Sequence, residues 1–273
     1  MTATSVPPLD PIADLPADVV RGFAVHGHAV VRGLASPEEV ATFRPAIEAA
    51  VQRVAPHMGA LEARDTYGKA FLQVPNICMY DDVVRGFTFA SRFAKVAAEL
   101  LQVDGVRLYH DQALFKEPGG GHTPWHQDQN YWPLATDRTI TMWMPLVDVP
   151  EDVGSMTFVD GSHLRKAMGD WIIGDESEAE YEAMRQREGL RTTTYGAMRA
   201  GDATFHAGWT LHRAPANHSD SMRAVMTIIY YADGTRISPI EAPQQAFDQQ
   251  IWLAGAEPGT LADGPGNPLL WPV

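Results

Sequence analysis

Apolar residues recur at helical spacing mainly in the first hundred positions of the chain. Val40, Phe43, Ile47 and Val51 follow Ser36-Pro37-Glu38-Glu39. That opening supplies a serine N-cap, a proline in the first turn and two acids facing the positive end of the helix dipole. It predicts a helix from Ser36 that buries one face. Pro16 to His26 predicts a shorter helix, stopped by Gly27, and Ser91 to Gln102 a third, with Phe93, Val96, Ala97 and Leu100 on its buried side. His28 to Arg32 reads as a short strand. Residues 56–82 carry Tyr67, Phe71, Pro75, Asn76, Met79 and Tyr80 without a period. They read as a connector, either lining a cavity or laid over the surface.

From Val106 the pattern changes to short runs of strand character: Arg107–Phe115, Thr123–Gln127, Thr139–Val147, Ser155–Val159, Leu190–Thr194, Asp202–His206 and Met222–Tyr231. Turn residues separate them, at Pro118-Gly119-Gly120-Gly121, Pro150–Gly154, Gly161, Gly201 and Gly208. About seven or eight short strands bounded in this way predict a sandwich or a barrel. An acidic insertion over about 164–189 interrupts the series, with a helix expected over Asp175–Arg187. The Pro- and Gly-rich tail, 233–273, carries Phe247, Trp252 and Trp271 and reads as a wrap over the core. Residues 1–15, rich in Pro, Asp and small residues, read as a flexible arm. With no internal repeat and no low-complexity linker, residues 16–273 are expected to form a single domain, mainly β with flanking helices.

Composition narrows the function classes. The 273 residues are 45% hydrophobic, enough for a sizeable core, and carry a net charge of −13. So acidic a chain, with no run of Lys and Arg, suits neither nucleic acid nor an anionic membrane surface. The single cysteine, Cys78, excludes an intrachain disulfide and a cysteine-based metal site. The N-terminal segment lacks the basic-then-apolar layout of a secretory signal, and no stretch reaches the ~20 apolar residues of a membrane span. A cytoplasmic protein acting on a small molecule is expected; nothing in the sequence sets an oligomeric state.

Candidate chemistry centres on His126-Gln127-Asp128, inside Thr123-Pro124-Trp125-His126-Gln127-Asp128-Gln129-Asn130-Tyr131-Trp132. Strand residues two apart share a face, so one imidazole and one carboxylate would be presented together. These are two of the three ligands of a 2-His-1-carboxylate site, which holds Fe(II) and leaves positions open for a co-substrate and O2. An exposed polar strand end would carry the same letters. Of the ten histidines, His26, His28 and His57 fall in the helical first part and read as surface or capping residues. His110 adjoins Asp111, so the two point to opposite faces. His122 follows the triple-Gly loop and reads as a mobile edge, His163 reads as a turn residue, His206 lies two before Gly208, and His218 lies in a polar loop. His212, 86 residues beyond His126, is the remaining candidate, although spacing alone cannot bring the two together. Arg223 follows 11 residues later and heads the apolar run Ala224–Tyr231. A buried charge is costly unless paired, and a guanidinium fork suits a carboxylate. Its partner is either an anionic ligand or one of the 34 acids of the chain.

In this order and spacing the pieces resemble the Fe(II)/2-oxoglutarate dioxygenases, and the surrounding text is similar to the phytanoyl-CoA dioxygenase (PhyH) family. The matching text is His110-Asp111-Gln112-Ala113-Leu114-Phe115-Lys116-Glu117-Pro118, Trp125-His126-Gln127-Asp128 with Trp132-Pro133, Trp143, Gly161-Ser162-His163, Gly201-Asp202, and the segment from His212 to Arg223. The resemblance spans roughly residues 16–235. It implies a double-stranded β-helix, a cupin-like jelly roll, with helices outside one sheet. It implies that His126, Asp128 and His212 hold the iron, that Arg223 pairs with the distal carboxylate of 2-oxoglutarate, and that Gln112 and Trp143 line the co-substrate pocket. Ala214 departs from the pattern, since relatives often carry a hydroxyl there that touches 2-oxoglutarate. Asp128 implies that halogenation is not the outcome, because related halogenating enzymes lack this carboxylate. The implied activity is oxidation of a substrate C–H bond by O2, with 2-oxoglutarate as co-substrate.

By family position the loop Asn130-Tyr131-Trp132, the 56–82 connector, the 164–189 insertion and the 233–252 tail are expected to surround the mouth. Tyr131 and Trp132 would face the substrate, and Trp125 the core. Their aromatic, mixed-polar character suggests a medium-sized, partly apolar organic molecule and a tailoring step on a secondary metabolite, whether hydroxylation, ring closure or epimerisation. The alternative within the family is an acyl-CoA 2-hydroxylase, whose phosphates the acidic balance disfavours. Outside it stand a Zn-dependent hydrolase, which would leave Arg223 and Trp143 without a task, and a jelly-roll binding protein without turnover.

Overall fold

The structure, a computed structural model, describes residues 8–272 apart from Asp152. Among the described residues the first part holds α1 (Ala17–His26), β1 (His28–Val31), α2 (Pro37–Val54), α3 (Thr66–Ala70), β2 (Leu72–Pro75), α4 (Asp82–Thr88) and α5 (Ser91–Leu101). The strand-rich part holds β3 (Val106–Lys116), β4 (Thr123–His126), β5 (Thr139–Pro145), β6 (Thr157–Val159), α6 (Asp175–Glu188), β7 (Thr192–Thr194), β8 (Ala203–Ala207), β9 (His212–Ala214) and β10 (Arg223–Ala232). The tail adds α7 (Pro243–Trp252) and β11 (Leu269–Trp271). Local chemistry sets the boundaries. Ser36 and Glu39 form a reciprocal capping box at the start of α2. Gly27, at φ +82°, ends α1 in the left-handed region that favours glycine.

The strands form two antiparallel sheets facing each other. The larger runs β1-β8-β5-β10-β3-β11, with β2 sharing the edge of β3, and the smaller runs β4-β9-β6-β7. This is the jelly roll expected, with α2, α4 and α5 packed outside the larger sheet. Alternation along β10 shows how the layers are built. Ala224, Met226, Ile228 and Tyr230 join Phe43, Ile47, Phe87, Phe93 and Leu100 in a core between the large sheet and the helices. Arg223, Thr227 and Ile229 point the other way, into a cavity between the sheets. Alternation in β5 and β3 follows suit: Met142 and Ala113 lie in the helix-side core, whereas Thr141, Trp143, His110 and Gln112 line the cavity.

Several expectations change. The arm expected over 1–15 lies outside the described residues as far as residue 7; beyond that Leu9 is buried and the Leu15 N–H donates to Glu99, so residues 9–15 are held against α5. The aperiodic 56–82 stretch contains α3 and β2, and β2 pairs with β3 from Leu72↔Phe115 to Pro75↔Gln112. The tail contains a helix, α7, as well as a strand. The insertion helix α6 does not cover the mouth: Tyr181 packs with Trp125, Val159 and Leu211 on the outer face of the small sheet. Trp125 is buried, as expected. His28 is not a surface residue but is buried, bonded to the Tyr195 hydroxyl at 2.7 Å and to Asp160 at 3.1 Å.

Candidate metal and co-substrate site

The 86 residues between His126 and His212 are bridged by strand register. β4 and β9 pair antiparallel, with His126 directly opposite His212, and the ring centroids are 4.1 Å apart. Gln127 is extended (φ −118°, ψ 121°), so the alternation of β4 carries one step past its end and turns Asp128 to the same side before a short 3-10 turn begins. His126 Nε2 lies 3.3 Å and His212 Nε2 3.7 Å from Asp128 Oδ1. One candidate ligand atom from each of the three lies within 4.8 Å of the others. Two ligands each about 2.1 Å from an ion and at a right angle lie about 3 Å apart, so the three could hold one metal. The imidazoles are already oriented: Nδ1 of His126 meets the Pro124 carbonyl at 2.8 Å and Nδ1 of His212 the Thr210 carbonyl at 2.9 Å. Each leaves its Nε2 for the site.

Protonation agrees with that use. Burial alone would raise Asp128, but the electrostatic pull of the His212 imidazole and hydrogen bonds from His126 and His206 outweigh it and hold the carboxyl well below the usual range. Burial, with the neighbouring imidazoles of His126 and His206, keeps His212 neutral. An ionised carboxylate and a neutral imidazole are the forms a metal requires. The expectation that set His206 aside is incomplete: its Nε2 lies 3.1 Å from Asp128 Oδ2, which also accepts from Thr141 Oγ1 at 3.0 Å. Sequence gives no clue to this, since no spacing rule ties His206 to Asp128.

Arg223 lies at the inner end of the cavity, 4% exposed; among the described residues its Nε is unpartnered and its guanidinium makes a single long bond, to the Gly154 carbonyl at 3.4 Å. Its guanidinium sits 5.6 Å from the Trp143 ring centroid. Among the described residues no acid pairs with it. Lys116, its register partner on β3, adds a buried amine beside that guanidinium. Burial, then the charge of Arg223, pushes that amine down to about 6. Buried positive charge without an acid leaves room for an anion. Gln112, Thr227 and Trp143 form one row across β3, β10 and β5, through the pairs Gln112↔Thr227 and Thr227↔Trp143. All three line the cavity between Arg223 and the His–Asp cluster. Gln112 is held by Gln73 of β2, whose Nε2 donates to it at 2.6 Å.

The cavity, about 500 Å³, opens where the exposed side chains of Ile172 and Phe247 line it, with Tyr131 and Trp132 also in its wall. Asp65, Tyr67 and Phe71 come to it from the connector, Ile172 and Ile173 from the insertion, and Phe247, Asp248 and Trp252 from α7. Tyr131 lines the opening while its hydroxyl accepts from the Ile173 N–H at 2.8 Å. Trp132 is buried to 6% exposure and packs with Leu134 and Tyr109. Asn130 is not among the lining residues; its amide donates to the Gly169 carbonyl and anchors the insertion. Asp248 is a pocket residue that sequence reading missed. Gln244, Phe247, Asp248 and Trp252 recur at helical spacing behind Pro243 and would have signalled it.

The family model described as Phytanoyl-CoA dioxygenase (PhyH) matches residues 23–225. A curated relative from Stutzerimonas stutzeri, named "Probable alpha-ketoglutarate-dependent hypophosphite dioxygenase", is 26% identical over 79% of this chain and 78% of its own length. Among solved structures, the non-heme alpha ketoglutarate dependent carbocyclase SnoK from nogalamycin biosynthesis is 26% identical, with a TM-score of 0.74 over 95% of this chain and 98% of that one. The epimerase SnoN of the same biosynthesis is also 26% identical, with a TM-score of 0.72 over 93% of this chain and 98% of that one.

Proposed function

The chain belongs to the phytanoyl-CoA dioxygenase (PhyH) family, and from that premise we propose that it tailors a secondary metabolite by oxidising one of its C–H bonds. It is an Fe(II)- and 2-oxoglutarate-dependent oxygenase that uses O2 and acts on a small molecule. In our reading His126, Asp128 and His212 hold the iron, Arg223 takes the distal carboxylate of 2-oxoglutarate, and Gln112 and Trp143 wall the co-substrate. Tyr131 and Trp132 contact the substrate. The observation that carries this reading is the convergence of three ligand atoms in a cavity whose inner end holds a buried guanidinium with no acid partner among the described residues.

Bound there, iron would let O2 act as the oxidant, with two electrons coming from 2-oxoglutarate as it becomes succinate and CO2 and two from the substrate C–H bond. This chain's residues hold and orient. The carbonyls of Pro124 and Thr210 fix the two imidazoles. Thr141 and His206 fix the carboxylate. Burial lets Arg223 meet an anion without competing water. The aromatic mouth positions an organic molecule and shields the site from side reactions. The carbocyclase and epimerase neighbours support ring closure or epimerisation beside hydroxylation as the class of outcome. The acyl-CoA alternative would bring phosphates to a mouth that presents Asp65 and Asp248.

We read residues 16–273 as one catalytic domain, because α7 walls the cavity and β11 pairs with β3. We also propose a cytoplasmic protein without nucleic-acid or membrane partners; no helix among the described residues is long and apolar enough to cross a membrane. The test is spectroscopic. Fe(II) and 2-oxoglutarate added without oxygen should give the visible charge-transfer band of the chelate, and oxygen should then give succinate. A hydrolytic activity supported by Zn, with neither band nor succinate, would replace this reading.

A further inference from the structure

Asp248, on the inward face of α7, is 7% exposed and lines the mouth of the cavity. Its Oδ2 accepts a hydrogen bond from the Tyr109 hydroxyl at 2.9 Å. Among the described residues no Lys, Arg or His forms an ion pair with it. Buried carboxyls ordinarily meet a cation or a metal, or else take up a proton. Here burial raises the carboxyl to about 7, against the pull of hydrogen bonds from Tyr109 and Trp252. The surrounding wall is aromatic. Trp252 and Phe247 come from the same helix, Tyr131 and Trp132 from the loop after Asp128, and Trp252 stacks on His110 with centroids 4.5 Å apart. The cavity is therefore bipolar. Its inner end carries a guanidinium with no acid partner among the described residues, and its mouth carries a carboxyl with no cationic partner among them, set among ring faces.

A carboxylate among aromatic rings is the chemistry that recognises an alkylammonium, by opposite charge and by the negative faces of the rings. We propose that Asp248 is the specificity residue of this oxygenase and selects substrates that carry a basic nitrogen, bound as the ammonium in the aromatic mouth. The proposal rests on the oxygenase reading only in taking this cavity as the substrate site. A merely structural Asp248, kept as an acceptor for Tyr109, would show no preference for charge in a ligand.

Benzylammonium and benzyl alcohol place a charged and a neutral head on the same ring. Their binding is measured by calorimetry on the full chain with Fe(II) and 2-oxoglutarate, without oxygen. Benzylammonium is expected to bind about 10-fold more tightly. That preference should grow from pH 6 to pH 8, because binding drives the proton off Asp248. The groups facing Asp248 do not titrate in that range. Tyr109, Tyr67 and Tyr131 are raised by burial, His110 is lowered to about 4 by burial, and Asp128 stays well below the range. Asp248→Asn keeps an acceptor for Tyr109 and should bring the two probes within about 2-fold. Tyr109→Phe leaves the carboxyl in place and should retain the preference. Equal binding of the probes, failure of both to bind, or a preference that survives Asp248→Asn overturns the proposal. The charge-transfer band and succinate formation of the wild-type protein report separately on the oxygenase reading, so the two can fail independently.

Discussion

His206 Nε2 lies 3.1 Å from Oδ2 of Asp128, not from the Oδ1 that His126 and His212 approach. The two carboxylate oxygens thus have separate surroundings. One faces the imidazoles proposed to bind iron; the other is tied to His206 and to Thr141. Groups that orient a ligand without touching the metal commonly set its affinity. His206→Ala is expected to weaken Fe(II) binding about 10–100-fold, measured by metal titration without oxygen. His206→Gln, which keeps a donor, should restore part of that loss. Unchanged iron affinity in both variants would make the contact incidental.

Removing the Arg223 guanidinium should separate co-substrate binding from iron binding. Losing one partner of a buried charge pair costs about 2–5 kcal/mol, so Arg223→Ala should raise the 2-oxoglutarate Kd roughly 30-fold or more. Fe(II) affinity should move far less, and equal losses of both would count against the assigned role. The same residue should destabilise the protein while the co-substrate is absent. Arg223→Met is expected to raise unfolding free energy by roughly 1–4 kcal/mol in denaturant titrations without 2-oxoglutarate, and to abolish stabilisation by added 2-oxoglutarate.

Lys116 predicts a pH dependence of stability. Its amine is pushed from the usual 10.5 down to about 6, by burial and then by the charge of Arg223. Between pH 6 and 10.5 the unfolded chain therefore binds a proton that the native chain lacks. Stability from this group rises with pH through that window and is lost as pH falls toward 6. Comparing wild type with Lys116→Met between pH 6.5 and 9, without 2-oxoglutarate, should show the steeper slope in the wild type. Identical slopes would mean that Lys116 folds charged.

Gly201 stands at φ +90°, and a Cβ there would collide with the carbonyl oxygen of Ala35. Ala35 N–H also donates to the Gly201 carbonyl at 3.0 Å, tying the turn after β1 to the entry of β8. Gly201→Ala is expected to cost about 3 kcal/mol. Gly189, which ends α6 at φ +63° with open space around it, should cost only about 1 kcal/mol when changed to Ala. Comparable melting temperatures for the two variants would show that the turn relaxes.

Much of this architecture is legible from local pattern. The capping residues of α2 and the alternation of β10 follow short-range rules, and the spacing of His126, Asp128, His212 and Arg223 matches a family text. What stays illegible is non-local or inverted. β9 is three residues long, too short to show a period, and its pairing with β4 is a matter of register rather than composition. The buried state of His28 depends on Tyr195 and Asp160, both more than 130 residues away. Helix α7 escapes the usual reading because its burial is reversed: Phe247 is 61% exposed while Asp248 is 7% exposed. Its inward face meets a cavity instead of a hydrocarbon core, so a polar residue marks the inside.

The residues proposed for iron and 2-oxoglutarate stand on paired barrel strands or the turn directly after one, whereas the mouth is assembled from the connector, the insertion and α7, three segments that interrupt or follow the strands. Outside β2, mutations can accumulate in those three segments without disturbing a rung of either ladder. Such a division makes the oxidant heritable and the substrate negotiable, so grafting α7 from a relative should transplant a preference while leaving the chemistry in place.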